Sequence, residues 1–423
     1  MLNTSVRSAS PHPREAAVRV DGLRLLETLA GLAEFGADAQ GGVSREAFSL
    51  ADDAARDYLA GIARSAGLYP RVDEAGNLIV RMAAEPSGRP VLLMGSHLDS
   101  VTNGGKYDGA YGVVAALETL RSFAEQDVRT RFEPVMIAFT NEEGALFPQP
   151  FWGSMAVAGV LADAEQAVDR AGNSIRGPLA RAGGDLDSIH RAAWPAGSIG
   201  AYLELHIEQG PILERRGFPI GVVDAIVGRT IFEFTVDGQQ NHAGTTPMDC
   251  RSDALVAAAQ IVLAVEDVSK QRRLCSVSTV GLLDVEPGLT NVVPGRCHLS
   301  VEIRDTRPEQ LAKAEAALTG AAGEIGRATG TEVSVEVTMR SSPVHTDPLL
   351  SAAIEATAER LDLPTMTLSS GAGHDAQIIG AVAPIGMIFV PSANGLSHSP
   401  EEHTDDVHLM AGADVLASTA ANL

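Results

Sequence analysis

Four short aliphatic runs, far apart in the chain, each lead into a histidine or a pair of glutamates as they end. Val91 to Met94 leads through Gly95 into Ser96-His97-Leu98-Asp99-Ser100, and Val135 to Thr140 leads into Asn141-Glu142-Glu143-Gly144. Tyr202 to Leu205 leads into His206-Ile207-Glu208-Gln209-Gly210, and Met387 to Val390 leads, through a glycine-containing loop, into Ser397-His398-Ser399-Pro400-Glu401-Glu402. Apolar runs this short, closed by turn formers, read as buried strands. Helical stretches such as Gly112 to Phe123, and Val18 to Leu32 before the first strand, alternate with them. The fold class is therefore α/β, a mixed or mostly parallel sheet flanked by helices. Open sheets of this kind place their sites beyond the carboxyl ends of the strands, so the four clusters should gather at one sheet edge.

Between about Ile220 and Met339 the pattern changes. Thr230 to Val236, Cys275 to Leu283, Cys297 to Ile303 and Thr331 to Val337 are strand-like, while Ser252 to Val265 and Glu309 to Ala328 are helical. The order is β-α-β-β-α-β, a small α+β unit. Cys297, Leu299, Val301 and Ile303 alternate with His298, Ser300, Glu302 and Arg304, so one sheet face is buried and the other open. Thr306-Arg307-Pro308-Glu309 reads as a capping box for the second helix, whose buried stripe holds Leu311, Leu318 and Ile325. Leu349 to Leu361 is then helical, Ala383 to Val390 a strand, and the chain ends in a helix-like tail. A chain of 423 residues exceeds what one core serves. The predicted organisation is one domain of residues 1–220 and 339–423, interrupted by an inserted domain of residues 221–338. The polar start up to Glu15 reads as a disordered lead without the apolar core of a signal peptide. Asp163 to Ser198 reads as a helical excursion of undefined shape.

A net charge of −22 disfavours nucleic acid and anionic membrane as partners, because neutralising phosphates takes lysine and arginine. No apolar run reaches spanning length. Cys250, Cys275 and Cys297 show neither paired nor CxxC spacing, which argues against a disulfide framework or a thiolate zinc site and suits a reducing cytoplasm.

Taken singly, Glu142-Glu143 would be a solvated acidic turn, and His97, His206 or His398 a hydrogen-bonded loop histidine. Together at strand ends, joined by Asp108-Gly109, they point to a metal site. Histidine and carboxylate donors without cysteine suit zinc, manganese, cobalt or nickel.

The ordered motifs resemble the M20 family of dinuclear metallohydrolases, in its amidase, hydantoinase and carbamoylase branch. The match covers Gly95 to Asp99, Gly104 to Gly112, Asn141 to Gly144, Leu203 to Gly210, Asn241 to Met248, Asn291 to Gly295, Ile303 to Asp305, Ser370 to Ala376 and Ser397 to Glu401. The resemblance implies a catalytic metal-binding domain, with the inserted block serving as lid and dimerisation domain of a homodimer. It implies two divalent metal ions: His97 and His206 hold one, Glu143 and His398 the other, and Asp108 bridges both. Cations roughly 3.5 to 4 Å apart would share a water or hydroxide and polarise the scissile carbonyl. Asp99 is expected to orient the imidazole of His97 as an outer carboxylate. Glu142 is implied as the general base, facing the bridging water while its neighbour Glu143 turns the other way to ligate. Arg304, with Asn291, is assigned to the substrate's carboxylate. His242 is assigned to the substrate carbonyl, in the other subunit's site, as an oxyanion stabiliser. Gln209 and the loop Gly371-Ala372-Gly373-His374 should also face the substrate, whereas Asp237, Asp249 and His403 read as solvated surface. The chain departs from the family pattern at Ala145-Leu146-Phe147 and at Met155, where relatives often carry arginine, which bears on side-chain preference.

The activity so implied is hydrolysis of the linear C–N amide of a small ureido acid. The first expectation is an N-carbamoyl-L-amino acid, giving the amino acid, carbon dioxide and ammonia; allantoate is the alternative. An aminoacylase or peptidase on the same scaffold comes next. A non-catalytic ligand-binding relative is disfavoured by the complete set of ligands and base.

Overall fold

The computed structural model describes residues 17–423; the polar start of the chain lies outside the described residues. Asp21 caps α1 (Gly22–Ala33) by accepting the Arg24 amide, and Ser49 caps α2 (Leu50–Ser65) by accepting that of Asp52. An antiparallel hairpin of β1 (Tyr69–Val72) and β2 (Leu78–Arg81) follows, then β3 (Val91–His97), α3 (Ala110–Glu125) and β4 (Glu133–Phe139). Every residue of β3 and β4 is buried, as expected of strands covered on both faces. Next come α4 (Trp152–Ala158), a 3-10 turn at Ala164–Gln166, α5 (Arg176–Arg181) and an irregular helical turn at Leu186–Ala192. These pieces close around a separate small core with Phe48, Phe147, Trp152, Ile175 and Leu179. Those between Asp163 and Ser198 are too short for a helical period to show in the sequence, so the helical excursion expected there has no shape legible from sequence. β5 (Ile199–Ile207), α6 (Ile212–Arg216) and β6 (Ile220–Ile226) complete this half of the chain.

The chain divides into two compact units. The first runs to Asp224 and resumes over Thr346–Leu368 and His374–Leu423; the second is Ala225–His345 with Ser369–Gly373. The second unit holds β7 (Gly228–Asp237), β8 (Asn241–His242), α7 (Ala254–Lys270), β9 (Val277–Glu286), β10 (Val292–Val293), β11 (Arg296–Asp305), α8 (Pro308–Thr329), β12 (Glu332–Ser341) and β13 (Val344–His345). Its main sheet has the order β12-β7-β11-β9, antiparallel throughout. Phe232, Phe234, Leu299, Val301 and Ile303 meet Ile261 of α7 and Leu311 and Leu318 of α8 in one core. Ile325 is only partly buried beside it. The expected capping box does not form. Pro308 takes the first helical position, so the cap falls on Arg307, one residue past Thr306, and no side chain caps the helix. Asp305 accepts the Arg307 amide instead.

Asp347 caps α9 (Pro348–Arg360), followed by β14 (Thr365–Ser370), α10 (Asp375–Ile379), β15 (Ile385–Val390) and α11 (Asp406–Asn422). In the first unit the strand order is β1-β2-β4-β3-β5-β15-β6. The four central strands, β4, β3, β5 and β15, are mutually parallel, and β2 and β6 flank them antiparallel. Leu92, Met94, Met136, Ala138, Leu203, Leu205, Ile388 and Val390 share one sheet face and one core with α3, α9 and α11. This is the mixed, mostly parallel α/β sheet that the alternation predicts, and it brings the carboxyl ends of the four motif-bearing strands to one edge. No helix among the described residues is long and apolar enough to cross a membrane.

Candidate metal centre

β3 ends on His97, and the loop beyond it returns to place Asp108 just before α3. Gly109 makes that approach possible. It adopts φ +62°, and a Cβ there would lie 2.4 Å from the His97 ring. The buried Asp108 carboxylate turns its two oxygens to different partners. Oδ1 is 3.1 Å from His206 Nε2 and 3.5 Å from His97 Nε2, while Oδ2 is 3.0 Å from His398 Nε2. Glu143 Oε1 lies 3.3 Å from the same His398 nitrogen. Gln209 donates from Nε2 to Asp108 Oδ2 at 3.0 Å.

The far sides of the two buried imidazoles decide what this arrangement can hold. His97 Nδ1 is 2.8 Å from the main-chain carbonyl of Asp99, and His206 Nδ1 is 2.8 Å from that of Ile207. A carbonyl only accepts, so each Nδ1 carries a proton, and each ring in its neutral form presents a bare Nε2. The Gly109 amide, donating to His206 Nε2 at 3.1 Å, agrees with that tautomer. Bare nitrogens turned on a carboxylate oxygen repel it unless positive charge lies between them. Asp108 Oδ1, fully buried, finds no hydrogen-bond donor among the described residues. The donors thus form clusters suited to a divalent cation: His97, Asp108 and His206 on one side, and Asp108, Glu143 and His398 on the other. Within each cluster the ligand atoms lie within 4.8 Å of one another.

The surplus of carboxylate also shows in the proton affinities. Burial opposes a charge on His97, yet Glu142 and Asp108 outweigh it and hold its pKa well above the usual imidazole range. Asp108 and Glu143 push His398 up to about 10. Burial would raise Asp108, but the imidazoles of His206, His398 and His97 hold it well below the usual carboxylate range.

Glu142 follows β4 and sits at the rim of the first cluster, with Oε2 4.0 Å from His97 Nε2. Burial drives its carboxyl well above the ordinary value; His97 opposes the shift and the Glu143, Asp375 and Asp99 carboxylates add to it. Asp99 differs from expectation. His97 is met by the main-chain oxygen of Asp99, whereas its carboxylate accepts the amides of Glu142 and Glu143, each at 3.2 Å. The chain turns back after His97, so the carbonyl reaches the ring first and the side chain passes to the neighbouring loop.

In the second unit His242 is exposed on β8, and its Nδ1 accepts the amides of Gly244 and Thr245 at 3.0 and 3.2 Å. Its neutral ring therefore carries the proton on Nε2, as a hydrogen-bond donor. Asn291 precedes β10, which pairs with β8. Arg304 lies on the polar side of β11; its Nε meets Glu302 and its Nη1 donates to the Gly371 carbonyl at 2.6 Å. Gly373 closes the short segment that belongs to this unit.

His374, expected to face the substrate, and two glutamates without a predicted role also converge in the first unit. His374 stacks edge-on against His206 with ring centroids 4.7 Å apart, and burial holds its pKa well below the usual value. Glu204, buried beneath them, accepts the Ser96 hydroxyl at 2.7 Å and the Ala376 amide at 2.9 Å. Glu402 accepts the Tyr107 and Asp108 amides. A glutamate four residues past His398, and one two residues before His206 on the same strand face, were the available signals.

Comparison with known proteins follows the same lines. The profile of peptidase family M20/M25/M40 matches residues 93–422. An N-carbamoyl-L-amino acid amidohydrolase of Geobacillus stearothermophilus is 39% identical over 405 residues, 96% of this chain and 99% of that protein. An allantoate amidohydrolase of Bacillus subtilis is 36% identical over 394 residues, 91% of this chain and 93% of that protein. The crystal structure of a hydantoinase/carbamoylase family amidase from Burkholderia multivorans superposes with a TM-score of 0.89 at 36% identity, covering 96% of this chain and 98% of that one. With a family profile spanning most of its length and such relatives end to end, the chain belongs to peptidase family M20/M25/M40, among the hydantoinase/carbamoylase amidases.

Proposed function

We propose that this amidohydrolase cleaves the linear C–N amide of an N-carbamoyl-L-amino acid, consuming water and releasing the amino acid, carbon dioxide and ammonia. The observation that carries the reading is the Asp108 carboxylate, one oxygen turned to His97 and His206 and the other to His398 beside Glu143. His97 and His206 would hold one divalent cation and Glu143 and His398 a second, with Asp108 offering one oxygen to each; zinc, manganese, cobalt and nickel all suit these donors. Such cations, when bound, supply Lewis acidity at the scissile carbonyl. Glu142 takes a proton from the attacking water and delivers it to the leaving nitrogen, a role that its raised proton affinity supports. Arg304 and Asn291 bind the α-carboxylate, Gln209 and Gly373 orient the ureido group, and Nε2–H of His242 donates to the developing oxyanion. The second unit is the lid and dimerisation domain of a homodimer, with His242 of each subunit serving the other subunit's site. Three free thiols, Cys250, Cys275 and Cys297, fit a reducing cytoplasm.

Allantoate is the second reading, supported by the similarity to an allantoate amidohydrolase; it offers a ureido group and a carboxylate to the same residues. Ammonia release should be measured from N-carbamoyl-L-amino acids, allantoate, N-acetyl amino acids and dipeptides, with manganese, cobalt, nickel or zinc added to chelator-treated protein. Turnover of N-carbamoyl-L-amino acids above the others is expected. Preference for allantoate selects the second reading, and turnover confined to dipeptides or N-acetyl amino acids removes both.

A further inference from the structure

Of the histidines around Asp108, His398 is held least firmly by its surroundings. His97 and His206 are buried within or at the end of strands and have Nδ1 anchored on a carbonyl. The His398 side chain is 49% exposed, and its backbone sits in the left-handed region at φ +54° in a loop between strand and helix. Glu402, four residues on, is buried and reaches across to the loop that carries Asp108. Its Oε1 accepts the amides of Tyr107 at 2.8 Å and Asp108 at 3.1 Å, and its Oε2 accepts the Ser397 hydroxyl at 2.8 Å. That hydroxyl is also 3.2 Å from Asp108 Oδ2, the oxygen that faces His398. The carboxylate lies flat on Gly105, where a Cβ would come within 2.0 Å of its carbon. One side chain therefore joins the His398 loop to the Asp108 loop.

We infer that Glu402 is a positioning residue that sets the spacing of His398 from Asp108, and that the cation held by Asp108, Glu143 and His398 is the weaker-bound of the two, because His398 has no other anchor among the described residues. The inference rests on the two-cation reading above. Groups that hold metal ligands in place govern affinity on the order of 10- to 100-fold. Their loss should therefore weaken one cation and spare the other. A glutamine can keep the clamp: its carbonyl accepts both amides, and its amide donates to Ser397, whose hydroxyl then turns to Asp108.

Manganese binding to the chelator-treated full-length protein tests this, followed by calorimetry and by metal content after gel filtration, for wild type, Glu402→Ala, Glu402→Gln and Ser397→Ala. Wild type should take up two manganese ions of unequal affinity. Glu402→Ala should weaken the second on the order of tenfold or more and leave the first unchanged. Ser397→Ala should weaken the same ion by a smaller factor, and Glu402→Gln should restore near-wild-type binding. Equal weakening of both ions, or unchanged binding in Glu402→Ala, overturns the inference while the two-cation reading stands. If Glu402→Ala does not fold, unchanged binding in Ser397→Ala overturns it. Wild-type protein that takes up fewer than two ions overturns both.

Discussion

The Asp99 carboxylate accepts the main-chain amide of Glu143 at 3.2 Å, and with its other oxygen that of Glu142, so a side chain from one strand end fixes the turn at another. Both carboxylate oxygens are used as acceptors. Asp99→Asn replaces one with an NH2 group that meets an N–H donor head on, so the substitution should behave nearly as badly as Asp99→Ala. Either should lower kcat roughly 10- to 100-fold with the His97 tautomer retained, because the Asp99 carbonyl remains. Steady-state kinetics of both variants check this. An Asp99→Asn enzyme close to wild type would remove the clamp.

On the proposed reading, Glu142→Gln keeps the shape and removes the base. Both cations should remain bound while kcat falls roughly 10²- to 10⁴-fold. The wild-type pH profile carries the same information. A base works only when deprotonated, and burial raises the Glu142 carboxyl above the ordinary carboxylate value. The rate should therefore fall as pH drops through a pKa above that of an ordinary glutamate, and this acid limb should be missing from the residual activity of Glu142→Gln.

Arg304 meets Glu302 through Nε and the Gly371 carbonyl through Nη1; on the proposed reading the end of the guanidinium binds the substrate carboxylate. Arg304→Ala should raise KM or lower kcat/KM by an amount equivalent to about 1.5 to 3 kcal/mol, the range for hydrogen bonds to charged groups. Substrate amides, which lack the carboxylate, should be turned over no worse by the variant than by wild type. Comparing kcat/KM for acid and amide in both proteins separates a binding role from misfolding.

If His242 serves the opposite subunit, His242→Ala and Glu142→Gln chains are each inactive alone but complement in a mixed dimer, which contains one intact site. Unfolding and refolding the two variants together should recover a fraction of wild-type activity. No recovery in heterodimers isolated by differential tags would place His242 in its own subunit's site.

Much of this molecule can be read from local pattern. Val91–His97, Glu133–Phe139, Ile199–Ile207 and Ile385–Val390 are strands because aliphatic runs end at turn formers, and their parallel pairing brings His97, Glu142, Glu143, His206 and His398 to one edge. Strict alternation made the sheet of the second unit equally legible. Elements without a period were not. The short helices between Trp152 and Ala192 are shaped by what they pack on, and the cap of α8 moved to Arg307 because Pro308 took the first helical position.

The residue types of the site and the strand ends that release them are legible from local sequence, because hydrophobic periodicity and turn chemistry act over a few neighbouring residues. Which atom faces which is settled by packing in three dimensions. That packing gave His97 a carbonyl where a carboxylate was expected, sent the Asp99 side chain to the Glu142-Glu143 turn, and joined the loops of Asp108 and His398 through Glu402. The last two join residues 43 and 294 positions apart. Pairings so remote are set by the sheet order and by the demand that buried polar groups find partners, and neither leaves a trace in local sequence.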